Sequence, residues 1–115
     1  MPTQVPLFVT ATVTLDGSGN GSATIGPTGF AEVWSGLQAS VHCATNVLEA
    51  TCKVYVGGAA TSNNFADGTY AGSSGDSTTN LPATVPVGQA VIAVWAGGDA
   101  NTTAYLNVIG TRQVA

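Results

Sequence analysis

Three aspartates in glycine-rich segments, Asp67, Asp76 and Asp99, are the residues best suited to chemistry in this chain. Carboxylates gathered from separate loops can bind a metal ion or the hydroxyls of a sugar. Asp-Gly and Gly-Asp are also ordinary turn sequences, because aspartate accepts hydrogen bonds from nearby backbone amides. The turn is the better-supported interpretation. Together with Phe65 and Tyr70, the three aspartates form our candidate contact with a glycan or a protein partner.

His42 is the only histidine in the chain. No serine lies in a nucleophile motif such as Gly-x-Ser-x-Gly. His42 alternates with Val41 and Cys43, which predicts that it points outward from a strand. We therefore assign no catalytic residue.

Residues 16–21 (DGSGNG) resemble the opening of a calcium-binding loop, with oxygen-bearing side chains at alternate positions and glycine at the sixth. The twelfth position, where such a loop needs a bidentate carboxylate, is Pro27. A hairpin turn leading into Ser22–Ile25 is the better interpretation. We expect neither a metal ion nor a cofactor.

Cys43 and Cys52 are too few for a disulfide scaffold and lack metal-binding spacing. Each lies in an alternating apolar pattern, where cysteine behaves as a small hydrophobe. A hairpin centred on Val47 and Leu48 would place the two thiols directly opposite each other. Paired core thiols are the main expectation, and a disulfide is the alternative.

Charge is scarce in this chain of 115 residues. Lys53 and Arg112 are the only basic residues against six acids, giving a net charge of −4. Binding nucleic acid requires several cations to neutralise phosphates, and an anionic membrane surface makes the same demand. Both partners are therefore excluded. So few acids, bases and nucleophiles also argue against an enzyme.

The local patterns are those of strands. Leu7–Leu15 alternates apolar residues with threonine, and Ala31–Thr45 is a long strand that bends at Gly36. Glu49–Val56 runs back, and Val85–Ala96 is apolar on both faces, which predicts a central strand covered on both sides. Residues 57–88 are the least regular and show only one short strand, near residues 68–71.

About eight short strands without a helical period predict an all-β fold, an antiparallel β-sandwich of jelly-roll type. The chain is long enough for one such domain, which we assign to residues 7–115. Residues 1–6 contain two prolines and form an extended arm. They lack the cationic start and apolar stretch of a signal peptide, which predicts synthesis in a cytoplasm without export.

Several short segments, spread over nearly the whole length, carry a family resemblance. They are residues 6–9 and 12–15, 21–27, 32–34, 52–55, 65–69, 72–78, 94–99 and 110–112. With them the chain resembles a family of small β-rich virion proteins of tailed actinobacteriophages, whose named members are minor tail proteins. The resemblance implies a non-enzymatic structural part of the virion, either in the tail or decorating the head.

Such a part binds other virion proteins and itself, as a homo-oligomer. Few charges and many threonines suit surfaces that neighbouring subunits cover. Two other functions stay open. A carbohydrate-binding adsorption module would place exposed aromatic side chains beside the loop aspartates. A small hydrolase would need a pocket that gathers His42 and an acid.

Overall fold

The computed structural model describes residues 3–29, 32–45, 47–48, 50–71, 76–81 and 84–114, with the backbone alone at residues 62, 67–71 and 76–80. Its strands are β1 (Thr3–Thr14), β2 (Gly21–Ile25), β3 (Val33–Cys43), β4 (Ala50–Gly57), β5 (Phe65–Ala71), β6 (Asp76–Asn80), β7 (Val85–Pro86), β8 (Ala90–Ala96) and β9 (Thr103–Val114). A 3-10 turn, Ser62–Asn64, precedes β5. Within these residues no helix is long and apolar enough to cross a membrane.

The strands form two antiparallel sheets. Sheet A has the order β1-β9-β3-β6, with β7 also paired to β3, and sheet B has the order β2-β8-β4-β5. The pairings are nested: β1 with β9, β2 with β8, β3 with β6, and β4 with β5. This nesting is the jelly-roll arrangement, in which a long folded ribbon wraps around one core. The antiparallel jelly-roll sandwich predicted from the sequence is confirmed.

Two predicted hairpins are wrong. β1 and β2 lie in different sheets, and so do β3 and β4. The turns at residues 15–20 and 44–49 therefore cross from one sheet to the other. Glycine, asparagine and aspartate suit either kind of turn, so turn composition alone does not choose the neighbouring strand.

The two cysteines consequently lie in opposite sheets, both buried in the core, rather than within one ladder. Cys43 of β3 and Cys52 of β4 are both buried, and both are free thiols. Burial raises the pKa of the Cys52 thiol to about 12, and the nearby Cys43 adds to the rise. The expectation of core thiols agrees with this arrangement, whereas their predicted position in a hairpin does not.

The strand β3 bends at Gly36, as predicted from the sequence. Gly36 has a φ of 60°, and the β3–β9 register shifts between Ser35 and Gln38. Because this left-handed backbone is strained for residues with a Cβ, glycine is well suited to the position. The bulge lets one long strand continue along β9 on both sides of the shift.

Residues 57–88 contain more structure than predicted. β5 begins at Phe65, and Asp76–Asn80 forms β6, the edge strand of sheet A beside β3. The sequence of β6 is wholly polar, so it lacks the apolar alternation by which strands are recognised. At the other edge, Thr3–Pro6 of the predicted arm continues β1 and pairs with residues 111–114 of β9.

The core lies between the sheets and follows the period-two pattern. The predicted central strand Val85–Ala96 is divided: β7 pairs with β3 in sheet A, and only β8 is central in sheet B, between β2 and β4. Its inner residues Val91, Ala93 and Trp95 are at most 1% exposed. On its outer side, burial decreases from Ile92 to the exposed Ala96, so the expected cover on both faces is complete only at one end.

Candidate functional site

The structure distributes the five predicted contact residues over three elements. Phe65, Asp67 and Tyr70 belong to β5, Asp76 begins β6, and Asp99 lies in the loop between β8 and β9. The side chains of Asp67, Tyr70 and Asp76 lie outside the described residues. Phe65 is 49% exposed, and its ring meets that of Tyr55 edge-on, with centroids 5.7 Å apart. These five residues therefore do not form one described site.

Asp99 holds two loops together. Its carboxylate accepts hydrogen bonds from the Thr45 hydroxyl at 2.8 Å, the Val47 amide at 2.8 Å and the Leu48 amide at 2.7 Å. The amides of Leu48 and Val47, followed by the Thr45 hydroxyl, lower the pKa of this carboxyl. The partners lie in the β3–β4 loop, so Asp99 anchors a distant loop instead of capping its own turn.

This anchoring presents two apolar side chains to solvent. Val47 is 88% exposed and Leu48 is 59% exposed, although the backbone amides of both are held by Asp99. The sequence prediction treated both residues as the centre of a hairpin turn. Apolar residues are unusual at such positions, and that was the signal of a contact surface.

The β1–β2 loop is fastened to the same end of the sandwich. Asp16 accepts hydrogen bonds from the amides of Ser18 at 2.8 Å and Asn20 at 3.0 Å. These bonds, that from Asn20 first, lower the pKa of the Asp16 carboxyl. Asp16 therefore holds a turn, but this turn joins two sheets and is not the hairpin predicted for these residues. Gly19 then accepts a 3.0 Å hydrogen bond from the amide of Gly98 in the β8–β9 loop.

A third acid, Glu32, also has a structural role. Glu32 is buried, and it accepts hydrogen bonds from the Trp34 indole at 2.6 Å and from the Gly29 amide at 3.0 Å. These contacts satisfy both carboxylate oxygens, as a buried acid requires. The described carboxylates of Asp16, Glu32 and Asp99 therefore hold backbone and side-chain donors of the fold itself.

The outer face of sheet A carries a continuous surface without a fully charged side chain. It consists of the outward residues of β1, β9 and β3, which the register places side by side. They are Gln4, Pro6, Phe8, Thr10, Thr12 and Thr14; Thr103, Tyr105, Asn107, Ile109, Thr111 and Gln113; and Val33, Ser35, Gln38, Ser40 and His42. We call this set the neutral face. Its only titratable groups are His42 and Tyr105. His42 points outward from its strand, as predicted.

A shallow depression lies at one end of the neutral face. Its volume is about 600 Å³, and it is lined by His42, Ala44, Tyr105 and Asn107. The His42 and Tyr105 rings lie 5.6 Å apart, tilted by 32°. Thr10 donates a 2.7 Å hydrogen bond to the Asn107 side-chain oxygen, which leaves the amide N–H groups as donors.

Asp76 is the register partner of His42 across β3 and β6, so an acid does lie beside the depression at the level of the backbone. The chemistry this arrangement supports is recognition of hydroxyl groups, by ring stacking and amide donors. Within the described part of the chain, no three His, Cys, Asp or Glu residues are grouped to hold a metal ion. Sequence reasoning missed Tyr105 and Asn107, because residues of adjacent strands cannot be aligned before the register is known.

Comparison with known proteins gave no matching family model, no matching curated protein and no matching solved structure. The neutral face and the loop end of the sandwich are the features of the molecule that bear on its function.

The contact between Gly19 and Gly98 predicts a sharp difference between two glycines of one loop. Gly19 has a φ of +75°, and a Cβ there would lie 1.9 Å from the Gly98 carbonyl oxygen. Gly19→Ala should therefore destabilise the fold by about 1–3 kcal/mol, measured by urea unfolding. Gly17→Ala is the matched control, since a Cβ at Gly17 meets nothing within 4 Å and should change stability by less than about 0.5 kcal/mol. Equal midpoints for the two variants would contradict the interlocked loops.

The role of Asp99 predicts a pH-dependent loss of stability. Its pKa is lowered in the folded protein, so its contribution is present above its ordinary pKa of 3.8 and is lost as the pH falls through the folded value. Asp99→Asn should lower the unfolding midpoint at neutral pH, and its difference from wild type should shrink at acid pH. It should also speed hydrogen exchange at the Val47 and Leu48 amides.

Asp16→Asn is the control for this prediction. Among the residues that the structure describes, its carboxylate bonds only within the β1–β2 loop, so its loss should leave exchange at Val47 and Leu48 unchanged. Unchanged exchange at these two amides in Asp99→Asn would show that the carboxylate does not anchor the loop.

Proposed function

We propose that this protein is a non-enzymatic structural component of a tailed-phage virion, a minor tail or head-decoration protein that acts by protein–protein contact. Its partners are other virion proteins and further copies of itself. It is made in the host cytoplasm and resides in the particle. The observation that carries this proposal is the neutral face of sheet A.

The neutral face has the composition of a protein interface. Midway along the strands, Phe8 on the edge strand β1 is 75% exposed and lies directly opposite Ile109 on β9, which is 39% exposed. Polar but uncharged residues flank this pair, among them Thr10, Asn107 and Gln38. Exposed apolar side chains flanked by polar ones, with charge depleted, are typical of specific protein interfaces.

The dimensions of the neutral face also suit a contact. β1 and β9 have 12 residues each and β3 has 11. At about 3.4 Å per residue and 4.8 Å between strands, the three strands cover about 40 Å by 14 Å, or roughly 560 Å². A standard interface takes about 800 Å² from each partner. One neutral face therefore supplies most of one partner's share, and the exposed tip at Val47 and Leu48 adds a second apolar contact.

A second candidate function is supported by the depression on the neutral face. Tyr105 and His42 provide aromatic surface, and Asn107 provides amide donors, which suits a carbohydrate. This candidate is the adsorption module considered from the sequence. It uses Tyr105 and Asn107 in addition to Asp76, instead of an aromatic side chain of β5.

The structural role predicts that the protein is present in purified particles of the phage that encodes it. Mass spectrometry of the particles should detect it, and gold-labelled antibody should place it on the head or the tail. Recombinant protein with Ile109→Glu, which puts a charge at the centre of the neutral face, should bind particles lacking the protein at least about tenfold more weakly. Thr24→Glu, at an exposed position on sheet B, is the matched control. Absence of the protein from particles would refute this function.

The carbohydrate role predicts binding on a glycan array that requires Tyr105. Tyr105→Ala should remove that binding, because the ring provides the stacking surface of the depression. Tyr55→Ala, in sheet B, should leave it unchanged. Binding that survives Tyr105→Ala would exclude the depression as the sugar site.

A further inference from the structure

The free edge of β1 is exceptional among the four sheet edges. β1 has 12 residues, whereas β2 and β6 have five each and β5 has seven. An edge strand leaves a row of backbone donors and acceptors without a partner, and long edges are normally protected by charge, proline or a bulge. β1 carries no charged residue, and its register with β9 runs without a shift from Thr3 to Thr14. Pro6 is the only protective residue, and it removes at most one backbone donor.

We propose that the edge of β1 pairs antiparallel with β1 of a second copy of this chain, joining two copies of sheet A into one continuous sheet. This inference rests on the proposed structural role and specifies one of its partners. Charge makes this edge the suitable place for a second copy: each chain carries a net −4, so two copies meet with least repulsion where neither is charged. A basic partner would favour an acidic edge, and β1 has none.

The sequence of β1 is compatible with itself under two-fold rotation. In an antiparallel pair, residues directly opposite each other point to the same face of the sheet. Each outward residue of β1 must therefore pair with an outward residue of the second copy, so the two-fold axis must lie between the two copies of one residue. With the axis at Phe8, residues 3–13 pair with one another, and with the axis at Val9, residues 4–14 do. Either register brings the exposed Phe8 ring of each copy against the other copy, at Phe8 itself or at Thr10. Aromatic and β-branched pairs of this kind stabilise sheets.

Pairing also enlarges the surface available to other proteins. Two neutral faces joined edge to edge cover about 1,100 Å², twice the single-face value obtained from strand spacing. That area exceeds the roughly 800 Å² that one partner contributes to a standard interface. The pair would therefore present, on one side, an uncharged surface large enough to bind a neighbouring virion protein.

The test is the mass of the full chain in solution. Native mass spectrometry and sedimentation should give a dimer of the 11.4 kDa chain at micromolar concentration. Phe8→Lys should raise the dimer dissociation constant at least about tenfold, because it places like charges beside the two-fold axis. Phe8 is 75% exposed, so the variant should keep the wild-type circular dichroism and unfolding midpoint.

Ile109→Lys is the matched control. Ile109 lies beside Phe8 on the same face, but on β9, one strand in from the edge. It should keep the dimer if the edge is the contact. A short bismaleimide should cross-link a Phe8→Cys variant into a covalent dimer, since the two native thiols are buried. It should not cross-link Ile109→Cys, whose two copies would lie about 14 Å or more apart across three strand spacings.

A wild-type chain that stays monomeric at about 100 μM would overturn the edge pairing. A dimer broken by Ile109→Lys but not by Phe8→Lys would also overturn it, and so would cross-linking of Ile109→Cys alone. These outcomes differ from failure of the proposed function: a monomer that is present in particles refutes only the pairing. A dimer that is absent from particles refutes only the virion role.

Discussion

Val41 and Leu106 of sheet A and Val54, Val91 and Trp95 of sheet B are at most 1% exposed, and everything else in the molecule depends on their burial. Fully burying one large apolar side chain stabilises a fold by about 1.5–3 kcal/mol. With so few charges in the chain, ion pairs contribute little by comparison. Strict alternation along each strand is what allows this burial. It also sends every second residue of β1, β3 and β9 outward, which creates the neutral face.

The middle of the sandwich is held by apolar burial, whereas its loop end is held by hydrogen bonds. There the backbone crosses between sheets, so its amides have no ladder to join. Asp16, Asp99 and the carbonyl of Gly19 accept hydrogen bonds from several of them. Acids that the sequence offered as candidates for chemistry thus accept hydrogen bonds from exposed loop amides. An exposed carboxylate can do this at low cost, because it keeps part of its hydration.

Sequence reasoning succeeded where one strand decides the outcome. The alternation in Leu7–Leu15, the bend at Gly36 and the outward direction of His42 are properties of single strands, and each was predicted. It failed where the structure depends on contacts between two segments that are distant in sequence. Neither the partner of β1 nor the amides bound by Asp99 can be found from local patterns, because β9 and the β3–β4 loop approach only in the folded chain. The depression combines β3 and β9, so its composition depends on the register.

The carboxylate of Asp99 accepts hydrogen bonds from the backbone amides of Val47 and Leu48, and these bonds do not involve the side chains of the two residues. The position of the tip is therefore uncoupled from its chemical identity. Other residues can replace Val47 and Leu48 while the backbone of the β3–β4 loop keeps its position. The exposed tip can therefore change in sequence and acquire new binding specificities without changes in the sandwich that supports it.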